Sequence, residues 1–398
     1  MNGRITALLL SLCLLLTACN LITAPDITAP VSGTVLRPEL ASHYSDRWCY
    51  RHLDDAQKQN YAAVYQAVYD SQFAVSTVRI AVDGTETVRS GIAVDLPHPP
   101  DDPKEIYRLY DAFTRDHPQF FFIGNLYGYE GSGKLSVIKL TYTMDMHSRK
   151  IACDELSGTL QAFLLGFPSE GDDYQKELWL HDKLLKNCVY DTQADAELLS
   201  SADSFTAYGA LVKGKAVCEG YSRAMLLLLQ SAGISATVVC GTDTQNNPHM
   251  WNFVNVNGQN YHLDATWNDT DWGVRHTYFN LSTAQNEQDH FIEENPLWTA
   301  STIAYQENFY QRNNALISTY DLDVIANAAA QQLAGGTDTI ELKFSPSTFN
   351  NGLLFVQSHA WFSETVDAVL AQQELRLWDY EVISDTVHNE LILLKKDN

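Results

Sequence analysis

Positive charge is scarce in this sequence: 26 lysines and arginines stand against 49 aspartates and glutamates, a formal charge of −23 at pH 7. A surface that acidic repels phosphate backbones and anionic headgroups, which argues against nucleic-acid binding and against a polybasic membrane contact. Long apolar runs are scarce as well, and past the N-terminal region no stretch is long enough to cross a bilayer. Metal-site spacings are missing. The seven cysteines and 12 histidines include no Cys-x-x-Cys and no His-x-x-x-His pair, so a zinc centre from Cys218, Cys240, His249 and His262 has no spacing to support it. No metal and no cofactor is expected.

What is present starts at the N-terminus. Arg4 precedes an almost unbroken apolar run from Ala7 to Leu16, too short to span a membrane but suited to a signal-peptide core. The run ends in Leu16-Thr17-Ala18-Cys19, which resembles the lipobox of bacterial lipoproteins. That resemblance implies cleavage after residue 18, a lipid on Cys19, and an extracytoplasmic protein anchored to a membrane by its N-terminus. Losing residues 1–18 removes Arg4 and no acid, leaving 25 basic residues against 49 acidic ones, a charge of −24. Cys49, Cys153, Cys188, Cys218 and Cys240 then remain, an odd number in an oxidising compartment, which points to at least one free thiol. The pairing of the other four is open, and the alternative is that they are reduced and buried.

Composition and periodicity divide the rest. Residues 19–45, with the repeated "ITAP" of "ITAPDITAP", read as a tether. Residues 46–150 read as a small α+β domain. Its expected elements are a helix over Leu53 to Tyr69, a strand "STVRIAV", a helix from Pro103 to Asp116, a strand "QFFFIGN", and a hairpin at "GYEGSGKL" leading into "SVIKLTYTM". Residues 151–300 carry expected helices at 153–165, at 173–187 and from Cys218 to the stop at Gly233, then strands "ISATVVCG", "HMWNFVNV" and "QNYHLDATW". Residues 301–398 read as a small β-α-β-β module, with strand "TIELKFS", a helix near "SETVDAVLAQQ", and strands "DYEVIS" and "ELILLKK". Its His359 and His388 read as surface residues.

The chemistry concentrates in "GKAVCEGYSRAMLLLLQ", residues 214–230, where a loop turns into an apolar helix at Cys218. A helix N-terminus offers unpaired N–H groups and a positive dipole end, which favour a thiolate and can hold an oxyanion. Met225, Leu226, Leu228 and Leu229 supply an apolar face to bury the helix and aim the thiol. The competing reading is a cysteine that merely fills the start of a helix.

A nucleophilic thiol needs a base, and the base needs a group to orient it. "HMWNFVNVNGQNYHLDATW" contains Asn257-Gly258, the strongest short signal for a two-residue hairpin turn. With that turn, Val256 faces Gln259, Trp251 faces Asp264, and His249 becomes a diagonal neighbour of Asp264 on one face. Diagonal Cα atoms lie roughly 7–8 Å apart, within reach of an imidazole–carboxylate contact. His262, the rival base, faces bulky Phe253 in this register and reads as packing.

"AYGALVKGKAVCEGYSRAMLLLLQSAGI", with its Cys-x-Gly-Tyr opening a helix, His-x-Trp-Asn on a strand and Tyr-His-x-Asp-x-Thr-Trp on the next, resembles the transglutaminase-like superfamily. The order fits, with 31 residues from Cys218 to His249 and 15 more to Asp264, and "LHDKLLKNCVYD" resembles the helix that precedes the nucleophile in bacterial members. The likeness covers residues 151–300. It implies an α+β fold with a papain-like core of helices packed on an antiparallel sheet, flanked by small N- and C-terminal α+β domains. It also implies Cys218 as nucleophile, His249 as base and Asp264 as orienting acid. The backbone of Cys218 would hold the oxyanion, Tyr208 and Asn187 are the candidate side-chain donors, and Trp251 would shield the His–Asp pair. The expected activity is thiol-dependent attack on an amide of a peptide or protein, including cell-wall peptide, with hydrolysis preferred because nothing in the sequence specifies a pocket for a lysine side chain. Acyl transfer to an amine is the alternative. A silent module binding peptide or cell-wall material is the reading from another class.

Overall fold

The computed structural model describes residues 42–82, 85–131, 134–197, 202–293, 295, 297 and 301–396. Cys19, the signal segment and most of the tether lie outside the described residues. Helices and antiparallel sheets are mixed, and the described residues form two compact units. One runs up to Gly258 and takes in Asp289–Ser301; the other comprises Gln259–Gln288 and the chain from Thr302. No described helix is long and apolar enough to cross a membrane.

The first unit opens with α1 (Trp48–Arg51) and α2 (Asp55–Ser71). A capping box starts α2, with Asp54 accepting from the Gln57 N–H and the Gln57 side chain accepting from that of Asp54. Then come β1 (Thr77–Val82), β2 (Thr85–Asp95), α3 (Pro103–Asp116), β3 (Ile123–Gly131) and β4 (Lys134–Tyr142), the strands forming an antiparallel sheet in the order β1-β2-β4-β3. The expected strand "QFFFIGN" is corrected at its start. Pro118 opens a 3-10 turn over Pro118–Phe120, and the strand begins only at Ile123. Strand β2 had no counterpart in the sequence reading.

Helix α4 (Met146–Phe163) starts earlier than expected because Asp145 caps it, accepting from the Ser148 N–H. Helix α5 (Asp173–Leu185) begins with a second capping box, Asp172 with Gln175. Two short parallel strands, β5 (Val189–Tyr190) and β6 (Lys215–Ala216), precede α6 (Cys218–Ser231). Strand β7 (Ala236–Asp243) follows and pairs antiparallel with β8 (Pro248–Val256). The chain then turns at Asn257 and Gly258, both left-handed with φ 50 and 82, as the sequence signal requires. Beyond it β9 (Gln259–Leu263) opens the second unit. The chain returns to the first unit at β10 (His290–Ile292), which pairs antiparallel with the far end of β7.

One apolar cluster joins the first part of this unit to β7 and β8. Trp48, Tyr61, Phe113 and Phe122 from its first part belong to the same cluster as Val239, Trp251 and Phe253 from β7 and β8. Trp48 meets Phe253 edge-on at 5.7 Å between ring centroids. Arg115, at the end of α3, donates from Nη1 to the Val238 carbonyl at 2.9 Å, on the stretch of β7 that β10 does not cover.

In the second unit the C-terminal sheet contains β11 (Leu316–Ile317), β12 (Thr339–Phe344), β13 (Tyr380–Asp385) and β14 (Glu390–Lys395), in the order β11-β12-β14-β13. Helices α7 (Leu322–Ala334), α8 (Phe349–Gln357) and α9 (His359–Leu370) accompany it. The three longer strands and α9 match the expected module, and β11, α7 and α8 are additions.

Candidate active site

Helix α6 is the most deeply buried in the first unit. Met225, Leu226, Leu228 and Leu229 are fully buried and Leu227 nearly so, so apolar side chains surround the helix instead of lining one face. Each such side chain is worth about 1.5–3 kcal/mol when taken from water, which anchors the helix against rotation. Its first residue is Cys218, partly exposed. The N-cap is Val217, whose side chain makes no capping hydrogen bond. The N–H groups of Cys218, Glu219 and Gly220 therefore have no acceptor within the helix.

Glycine at 220 lets this end form. A Cβ there would lie 2.4 Å from the Ser204 carbonyl oxygen and 2.7 Å from the Ala216 Cβ. The 204–206 turn thus crosses directly over the first helical turn, and Val217 donates its N–H to the Ser204 carbonyl.

His249 is the second residue of β8 and is buried, 8% exposed. Its ring stacks on Trp251, with centroids 5.8 Å apart and planes at 22°. Trp251 is fully buried, so it covers one side of the imidazole. One hydroxyl joins this strand to the cysteine helix: Ser222 Oγ lies 2.8 Å from the Cys218 carbonyl oxygen and 2.8 Å from that of Met250, the residue after His249. Asn252, the last position of His-x-Trp-Asn, donates from Nδ2 to the Ser222 carbonyl at 2.9 Å. Two side chains thus hold the start of α6 to the start of β8, bringing Cys218 and His249 onto adjoining segments.

Asp264 lies in the second unit, buried, directly after β9. The expected strand "QNYHLDATW" therefore ends at Leu263. The Asp264 carboxylate accepts from the N–H groups of Thr266 at 2.8 Å and Trp267 at 3.2 Å, turning the chain instead of letting it extend. Its own N–H donates to the Tyr278 carbonyl. His262 is buried in the same unit with Nε2 3.1 Å from Thr283 Oγ1, a packed residue as expected.

The two side-chain donors considered for an oxyanion are engaged elsewhere. The Tyr208 hydroxyl donates to Glu155, and Asn187 donates from Nδ2 to the Lys183 carbonyl at 2.7 Å. All five described cysteines are free thiols. Cys240 meets Arg115 Nη2 at 3.4 Å. Burial pushes its thiol up despite that guanidinium.

The sequence reading missed His290. This residue on β10 is fully buried, its Nδ1 is 2.7 Å from Asp289 Oδ1, and its ring lies 5.3 Å from His249 and 4.8 Å from Trp251. Only Gly241 signalled it. That glycine sits on β7 opposite His249 on one side and Ile292 on the other. Without a side chain there, the imidazoles of two strands meet across the strand between them.

Residues 166–268 match the sequence profile described as the transglutaminase-like superfamily. This part of the chain is a transglutaminase-like core. No curated protein matches the chain. Among solved structures, one described as a TGase is 13% identical over 51% of this chain and 54% of its own, with a TM-score of 0.28. A candidate cysteine protease from Cytophaga hutchinsonii is 12% identical over 36% of this chain and 61% of its own, with a TM-score of 0.24. A candidate protease from Parabacteroides distasonis is 13% identical over 48% of this chain and 35% of its own, with a TM-score of 0.22. The chain thus spans less than two thirds of each.

Proposed function

We propose that this protein is an extracytoplasmic thiol enzyme, held to a membrane by a lipid on Cys19, that cleaves amide bonds in peptide or protein substrates. Cys218 is the nucleophile, His249 the base and Asp264 the acid that orients it. The observation that carries this reading is the placement of Cys218 on the uncapped end of a buried helix, tied through Ser222 to the residue beside His249.

In the proposed reaction His249 takes the thiol proton and the Cys218 sulfur attacks the amide carbon. The oxyanion is held by backbone N–H groups at the start of α6. The C–N bond breaks as the imidazolium returns its proton to the leaving amine, giving a thioester. His249 then deprotonates water, which releases the acid and frees the thiol. The register set by the Asn257–Gly258 turn supports a carboxylate at 264 as the partner of His249.

The test is the rate of Cys218 alkylation against pH on protein lacking residues 1–19, with His249→Ala and Asp264→Ala alongside. A thiol that reacts well below pH 8.5, and slows when His249 is removed, is the expected result. A thiol indifferent to His249 sinks the reading and favours a silent binding module. Product analysis on a glutamine peptide, with and without added amine, separates hydrolysis from acyl transfer.

A further inference from the structure

Between Asp264 and the C-terminal module runs a loop whose last residues are gripped one after another. Arg275 donates from Nη1 to Asp385 Oδ2 at 3.1 Å, at the end of β13. His276 meets Glu341 on β12 twice: its N–H donates to Oε2 at 2.9 Å, and its Nδ1 is 2.6 Å from Oε1. Thr277 donates its hydroxyl to Glu390 on β14. The Tyr278 hydroxyl lies 3.2 Å from His388 Nε2 in the turn between β13 and β14.

Two of these partners are unusual for a sheet. Glu341 is 2% exposed and Glu390 fully buried. Buried carboxylates are costly unless charged partners and hydrogen bonds surround them. Here Lys343, directly across the ladder from Glu390, neutralises one at 2.6 Å. Phe309 stacks on the His276 ring at 3.9 Å and seals the other. A module that only filled space would be served as well by apolar residues there.

The grip leads to Asp264. The Tyr278 carbonyl accepts the Asp264 N–H at 3.0 Å, and the Tyr278 N–H donates to Asn268 Oδ1 at 2.9 Å. Arg275 donates its own N–H to the Asn268 carbonyl and its Nε to that of Trp267. Both ends of the loop are thereby closed on each other, and the loop as a whole is fixed to β12, β13 and β14.

We propose that the C-terminal module is a positioning element for the acid of the triad, with Glu341 and Asp385 as positioning residues that act through the 275–278 segment on Asp264. This rests on the triad proposed above, and the experiment separates the two. Protein lacking residues 1–19 is prepared with Glu341→Gln, which keeps the shape and removes the charge, and with Asp385→Asn, a milder change should the first fail to fold. Each is combined with Asp264→Asn. Amide exchange at Asp264 and the pH dependence of Cys218 alkylation are measured on folded protein.

The expected result is faster exchange at the Asp264 amide and alkylation slowed by about tenfold at the pH of greatest rate. In the Asp264→Asn background neither substitution should slow the thiol further, since both act through that carboxylate. Lower thermal stability with unchanged exchange at Asp264 overturns the proposal and leaves a purely structural module. Rate effects that multiply with Asp264→Asn overturn it too. If Asp264→Asn leaves the rate untouched while Glu341→Gln still loosens the Asp264 amide, the clamp stands and the triad falls.

Discussion

Gly241 stands directly opposite His249 on the β7–β8 ladder, and only the absence of a side chain there lets the surrounding parts close. A Cβ at 241 would lie 2.1 Å from the Phe291 carbonyl oxygen and 2.7 Å from the edge of the Trp251 ring. Gly241→Ala should therefore push β10 or Trp251 aside. Overpacking of this kind costs about 1–3 kcal/mol. Urea unfolding should show that loss, and alkylation of Cys218 should slow with it; unchanged stability would mean that the strands yield without strain.

Ser222→Ala tests the link between the two halves of the site. The lost hydrogen bond should cost about 1 kcal/mol, read from the urea midpoint. The larger effect should fall on Cys218, whose alkylation should lose its dependence on His249. Full dependence in the variant would show that Asn252 holds the helix and strand together alone.

The five described thiols should differ sharply towards a limiting alkylating agent at pH 7. Burial pushes Cys153 up to about 12 and raises Cys240 as well, while Cys49 and Cys188 are buried. Only Cys218 is partly exposed at an uncapped helix start. Peptide mapping should find the first label on Cys218, and a first label elsewhere would contradict its accessibility.

Stability should respond to pH through two neighbours in the first unit. Tyr61 lies between them, its hydroxyl 3.0 Å from Asp116 Oδ2 and 2.8 Å from His117 Nε2. Burial pushes Asp116 up to about 6, against the lowering effect of the Cys49 and Tyr50 N–H groups. The native state thus holds an extra proton between about pH 4 and 6, and this contribution to stability falls as pH rises through that window. His117 works the other way. Burial holds it well below its ordinary value, so its contribution is full above about 6.5 and is lost as pH falls below. Asp116→Asn removes the offset, and the loss of stability between pH 6.5 and 4.5 should steepen. An unchanged slope in urea titrations would assign Asp116 an ordinary carboxylate.

Much of this site was legible because it lies in consecutive, strongly patterned sequence. Cys218 begins an apolar helix stopped at Gly233, whose φ of 79 closes it. Asn257-Gly258 fixes the end of β8 by backbone preference alone. The gaps have physical causes. Strand β2 lacks a clear apolar period because its first half, Thr85 to Ser90, is polar apart from Val88 and mostly exposed. Helix α7 is rich in alanines, whose burial depends on neighbours distant in sequence. Asp264 ends a strand that its pattern would continue, since its own carboxylate captures the following N–H groups. His290 reaches the site only by return of the chain to β7, and Gly241 on that strand is its one trace in the sequence.

The shared aromatic core has a consequence for anyone cutting the gene. The recognisable segment is residues 166–268, but Val239, Trp251 and Phe253 within it share one buried cluster with Trp48, Tyr61 and Phe113 from far upstream. A fragment beginning at residue 166 would surface with those faces bare, a contiguous apolar patch of the kind that drives aggregation. The length of chain that carries the family's signature and the length that can fold are different lengths, and the second one reaches back at least to Tyr44, buried in the same cluster.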